Sequence, residues 1–108
     1  MRNSDTLEPL FYPRTIAVIG ATSKPDKVGN IIFKRLMTTR IRLYPVHPKE
    51  TVLFGMPVIN DIKDLPEDLD MAVITIGAQG AVKAAEECAA KGTKVLIVVA
   101  SGFGEAGE

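Results

Sequence analysis

Four short strand-like runs alternate with two helix-like stretches, and that alternation leaves few folds open. The runs are "TIAVIG" (15–20), "IRLYPVHP" (41–48), "DMAVITIG" (70–77) and "TKVLIVVASGFG" (93–104). The first, third and fourth are apolar at successive positions, which suits strands buried on both faces. "VGNIIFKRLMTTR" (28–40) repeats Val28, Ile31, Ile32 and Leu36, with Phe33, at helical spacing. "AQGAVKAAEECAAKG" (78–92) reads as an alanine-rich helix with Gly92 as its C-terminal cap. "TVLFGMPVI" (51–59) is a short extended or irregular piece punctuated by Gly55 and Pro57, and "DIKDLPEDL" (61–69) holds at most one helical turn.

Strands and helices alternating at this spacing build βαβ units around a parallel sheet, and right-handed crossovers place helices on both faces. The expected fold class is therefore α/β, a Rossmann-like three-layer sandwich with a mostly parallel sheet. The 108 residues suit one domain, 1–108. The first eleven residues are expected to lie across the surface as a short helix or arm. Residues 105–108 follow the last strand with no closing helix, so a fragment of a longer polypeptide is expected.

Lysine plus arginine and aspartate plus glutamate number 13 each, so no global basic field exists to hold nucleic acid or an anionic membrane. Any anion site must be local. A single cysteine, Cys88, excludes an internal disulfide. With no apolar leader core in "MRNSDTLEPLFYPR" and no run of membrane-spanning length, a cytoplasmic location is expected.

In a doubly wound sheet, ligands bind outside the carboxyl ends of the strands. Four segments meet there: 20–29, 46–49, 76–80 and 100–104. All are rich in small residues that let a ligand approach the backbone. The helix starting near Lys27 or Val28 offers free N–H groups and a positive dipole end to a phosphate. Thr22 and Ser23 can add hydroxyl donors, and Lys24 and Lys27 charge. The loop is neither GxGxxG nor a Walker loop. After the second strand, a NAD site usually has Asp or Glu to accept from ribose hydroxyls. Here the residues are His47, Pro48 and Lys49, and a cation suits a ribose bearing a phosphate, as in NADP or coenzyme A. Glu50 lies beyond Lys49 and reads as solvated surface, as do Lys83, Glu86 and Glu87 on their helix. His47, the only histidine, has no evident acid or nucleophile paired with it, so it reads as packing beside an adenine or capping a turn. Cys88, mid-helix, reads as a small packed residue. No metal-ligand spacing and no catalytic constellation is visible.

"LFYPRTIAVIGATSKPDKVGNIIFKRL", "LYPVHPKE", "GMPVINDIKDLPEDLDMAVITIGA" and "VLIVVASGFGEAGE" occur in the order of a known family. Together, from Leu10 to Glu108, they resemble the N-terminal CoA-binding domain of the NDP-forming acyl-CoA synthetases. That group includes the ADP-forming acetyl-CoA synthetases and, more distantly, the succinyl-CoA synthetase alpha subunit. Some protein lysine acetyltransferases open with the same domain. The resemblance implies that Gly20, Ala21, Thr22 and Ser23, with Lys27, Val28 and Gly29, serve the diphosphate and adenosine end of coenzyme A. Val46, Pro48 and Lys49, with His47 where the family often has Asn, would lie near the adenine and the phosphorylated ribose. Ile76, Gly77 and Ala78 form the third contact, and Ala100, Ser101 and Gly102 lie near the pantetheine arm.

The third segment departs from the family's usual Val-Pro-Ala, and loss of that proline frees a turn beside the ligand. The resemblance also implies a parent acid–CoA ligase using ATP or ADP and Mg, through further domains or a beta-type subunit, with this segment alone not catalytic. The alternatives are a stand-alone CoA-binding protein, the first domain of a protein acetyltransferase, or a NAD(H)-binding domain, against which the missing GxGxxG and the missing acid after the second strand argue.

Overall fold

A computed structural model describes residues 8–99 of the chain. After a helical turn at 8–11 come β1 (Thr15–Ile19), α1 (Val28–Leu36), β2 (Arg42–Val46), β3 (Val52–Leu53) and β4 (Met56–Pro57). A 3₁₀ turn (Ile62–Asp64), β5 (Met71–Ile74), α2 (Ala78–Ala90) and β6 (Val95–Val98) follow. β2, β1, β5 and β6 form one sheet in that order, every pair parallel. The register sets Ile19 beside both Val46 and Ile74, and Ile74 beside Val98, so the four carboxyl ends form one level edge.

Successive strand side chains point to opposite faces, and β1 divides its residues accordingly. Ala17 and Ile19 pack with Ala72, Ile74, Ala81, Ala84 and Cys88 on the α2 side. Ile16 and Val18 pack with Phe33, Leu53, Met71 and Val73 on the α1 side. The expected three layers are present, with a core on each face of the sheet. At the opposite edge of the sheet, the Asp70 carboxylate accepts from the N–H of Arg14 at 2.7 Å and of Thr15 at 3.3 Å, tying the starts of β1 and β5 together. α2 closes as expected, the N–H of Gly92 donating to the Ala89 carbonyl and that of Thr93 to Cys88.

Three local readings change. The fourth apolar run is not buried on both faces: β6 is an edge strand paired only with β5 among the described residues, and Val98 is half exposed. Ile31 is exposed, because α1 turns Gly29, Asn30 and Phe33 inward instead. The extended piece at 51–59 is a hairpin, β3–β4, whose two turn residues Phe54 (φ 49°) and Gly55 (φ 81°) both take left-handed backbone, as a type I′ turn requires. Phe54 is bulky for that position. Its ring stacks on Phe33 with centroids 6.2 Å apart and planes at 15°, which fastens the hairpin over α1.

Candidate functional site

The level carboxyl edge of the sheet opens into a cleft of about 590 Å³. Its floor is the end of β1. Gly20 donates its N–H to the Val46 carbonyl at 2.9 Å, and the Thr75 hydroxyl donates to the Ile19 carbonyl at 2.8 Å. Gly20 has φ +100°, where a Cβ is strained, and any Cβ there would overlap the Thr75 hydroxyl oxygen.

The first wall is the start of α1. Its N-cap, Lys27, provides no side-chain cap. Among the described residues nothing accepts from the N–H groups of Val28 and Gly29. Two free donors and the positive end of the helix dipole therefore border the cleft, together with Lys24 and Lys27. Asp26 also lines it. Asn30, buried at 3% exposure, donates from its side-chain amide to the Thr22 carbonyl at 2.9 Å and holds the loop against the helix.

The second wall is the turn after β2. His47 does cap a turn: its Nδ1 accepts from the backbone N–H of Lys49 and of Glu50, both at 3.0 Å. An acceptor at Nδ1 leaves the proton of the neutral ring on Nε2, which sits 3.8 Å from the Glu50 carboxylate. The Asn60 side-chain amide closes the turn from behind, donating to the His47 carbonyl at 2.7 Å and to the Glu50 carbonyl at 2.9 Å.

Glu50 is not solvated surface. Its carboxylate accepts from the Thr22 hydroxyl at 2.7 Å and from the Ser23 N–H at 3.1 Å. The Thr22 bond is the strongest influence holding the acid below its ordinary range. Partial burial opposes it, and the Ser23 bonds and the field of His47 add to it. The Thr22 hydroxyl, expected to be offered to a ligand, is thus already given to Glu50. Spacing alone could not foretell this, because the contact spans 28 residues between two loops.

The third wall is Thr75, Ile76 and Gly77, with Gly77 the N-cap of α2. A second hollow of about 340 Å³ shares Gly20, Pro48 and Ile76 with the cleft and continues past Val46 toward α2, making one elongated trough. Of the residues singled out in the sequence, Gly20, Thr22, Lys27, Val28, Gly29, His47, Pro48, Ile76 and Gly77 line the cleft. Val46 lines the adjoining hollow. Ala21 is fully buried in the core on the α1 side. Ser23 and Lys49 are exposed beside the cleft, and Ala78 opens α2. Ala100, Ser101 and Gly102 lie outside the described residues. Sequence reasoning missed Asn30, Asn60, Thr75 and the true place of Glu50; only a polar Asn30 within an apolar helix offered any signal.

Cys88 is buried, and burial pushes its thiol above the ordinary range, with Glu87 adding to the effect. Among the described residues no group of three His, Cys, Asp or Glu side chains could hold a metal ion, and no helix is long and apolar enough to cross a membrane.

The family model described as "CoA binding domain" matches residues 14–106. The chain is 41% identical over 101 residues to acetate–CoA ligase [ADP-forming] I of Archaeoglobus fulgidus, covering 94% of this chain and 15% of that protein. It is 41% identical over 109 residues to acetate–CoA ligase [ADP-forming] I subunit alpha of Pyrococcus furiosus, covering 95% of this chain and 24% of the subunit. A solved structure of the dinucleotide-forming acetyl-coenzyme A synthetase 1 of Ca. Korarchaeum cryptofilum, in complex with phosphate and ADP, superposes with a TM-score of 0.82 at 34% identity. That match covers 94% of this chain and 22% of that one. The chain thus spans less than a quarter of the length of these relatives. It belongs to the CoA binding domain family and is homologous to a part of the ADP-forming acetate–CoA ligases.

Proposed function

We propose that this chain binds coenzyme A along the carboxyl edge of its sheet, as the CoA-binding part of an ADP-forming acyl-CoA ligase. The observation that carries the reading is the start of α1: the unpartnered N–H groups of Val28 and Gly29 border the cleft beside Lys24 and Lys27. Two backbone donors, a helix dipole and two cations match a diphosphate. Glycine at 20 and 29 lets the end of β1, Thr75 and the start of α1 pack closely beneath the cleft, where any Cβ would overlap protein atoms. The elongated trough from α1 past Pro48 toward α2 fits a ligand with a long arm better than a compact nucleotide.

In this reading Gly20, Thr22, Lys27, Val28 and Gly29 surround the diphosphate. His47, Pro48 and Lys49 flank the adenosine and its ribose phosphate, and Ile76 and Gly77 border the start of the arm. Ala21, Ser23, Val46 and Ala78 support these contacts from the adjoining backbone, and Ala100, Ser101 and Gly102 serve the arm. The parent protein joins an acid to coenzyme A with ATP, ADP and Mg bound elsewhere, on further domains or on a beta-type subunit, in the cytoplasm. The subunit relative from Pyrococcus furiosus, itself called alpha, supports such a division.

Calorimetric titration with coenzyme A, dephospho-coenzyme A and NAD(H) tests the reading. Binding of coenzyme A, weakened when the ribose phosphate is removed, is expected. NAD(H) binding tighter than coenzyme A would overturn it.

A further inference from the structure

Glu50 stands where a ligand phosphate would find donors. Thr22 and Ser23 belong to the loop between β1 and α1, and both already donate to this carboxylate. Thr22 lines the cleft with Lys24, Lys27 and Gly29, so the negative charge of Glu50 lies beside the space a diphosphate would enter. The acid is held there on every side. Asn60 fixes its backbone carbonyl, His47 Nδ1 takes its N–H, and His47 Nε2 faces its carboxylate at 3.8 Å.

We propose that Glu50, an anion set behind Thr22 at the margin of the cleft, determines where and how strongly phosphate binds. By occupying the Thr22 hydroxyl and the Ser23 N–H, it confines a bound diphosphate to the N-terminus of α1. By its charge, it penalises each ligand in proportion to the phosphate charge it brings. The inference rests on the reading of the cleft as a coenzyme A site, which it deepens: the site discriminates among phosphorylated ligands by an internal carboxylate as well as by its lysines. Glu50 therefore acts as a specificity-determining residue.

The variant Glu50→Gln separates these roles, because its carbonyl oxygen can still accept from Thr22 and Ser23 while the charge is gone. Coenzyme A should bind Glu50→Gln about three- to tenfold more tightly than the parent sequence at low ionic strength. Dephospho-coenzyme A should gain less, and both gains should shrink in high salt, while the melting temperature falls modestly because the bonds from Thr22 and Ser23 lose their charge assistance. Unchanged or weaker binding of coenzyme A would overturn the proposal and leave Glu50 as a brace.

Titration with inorganic pyrophosphate, followed by the amide resonances of Gly29 and Ser23, keeps the test independent of the coenzyme. If neither protein binds coenzyme A, the functional reading fails. The role of Glu50 still stands if pyrophosphate binds Glu50→Gln more tightly than the parent and shifts Gly29. Equal pyrophosphate affinity in the two proteins, or no shift in either, would overturn it.

Discussion

Gly29 of α1 lies directly against the carbonyl of Gly20 at the end of β1, so closely that any Cβ at 29 would overlap that oxygen. The start of the helix is thereby pressed onto the end of the strand, and the free N–H groups of Val28 and Gly29 are brought to the cleft. Gly29→Ala must push backbone against backbone, so it is expected to destabilise the domain by about 2–3 kcal/mol. Thermal unfolding measures the loss. A melting temperature within error of the parent would show that the two elements can separate freely.

Lys49 is exposed, on the turn that His47 caps. Under the proposed function, its replacement by Ala should weaken coenzyme A about tenfold, the scale of one lost charge-assisted contact, and dephospho-coenzyme A hardly at all. Side-by-side calorimetry reads the ratio. Equal losses for both ligands would remove Lys49 from the ribose phosphate.

Gly77 caps α2 with φ −60° and ψ 161°, and a Cβ there would meet nothing within 4 Å. That φ is already the one proline imposes. Gly77→Pro should therefore stabilise the domain by about 0.4–1 kcal/mol, by narrowing the unfolded ensemble. Chemical denaturation checks it, and a drop in stability would mean that the Gly77 N–H has a partner proline cannot replace.

The Glu50 carboxylate is held below its ordinary pKa of 4.5, chiefly by the Thr22 hydroxyl. A depressed pKa in the folded state adds stability that is present above the unfolded value and is lost as pH falls through the folded value. Thr22→Val removes the main cause, so it should cost about 1 kcal/mol near neutral pH. The gap between the two proteins should close as pH drops below 4.5, the ordinary value. Denaturation curves across that range read the convergence. A constant gap would place the cost in packing.

Cys88 is 1% exposed on the inner face of α2, with its thiol pushed upward by burial. A thiol-specific reagent should leave it unmodified in the native protein and label it on unfolding. Rapid native labelling would show that α2 opens readily from the sheet.

The alternation of apolar runs and helices by itself determined the parallel sheet, its two helical layers and the end of the sheet where the candidate site lies, while the register that makes that edge level came from the tertiary structure. The first three are properties of hydrophobic periodicity, which acts over a few residues and is written in order along the chain. Gly20 and Gly29 stood out in the sequence as small residues that let a ligand approach the backbone, whereas the close contacts they make, with Thr75 and with the Gly20 carbonyl, were decided by the tertiary structure. The tertiary structure alone decided what depends on contacts between distant segments. Ile31 faces solvent because close packing at Gly29 sets which stripe of α1 turns inward. β6 is partly exposed because the strand order gives it a partner on one side only among the described residues. Glu50, which local sequence assigns to solvent, is claimed by Thr22 and Ser23 because the turn after β2 folds back over the loop after β1. A carboxylate is drawn to whichever donors the fold leaves within reach, and those donors lie nearly thirty residues away in the chain, at a separation of 28.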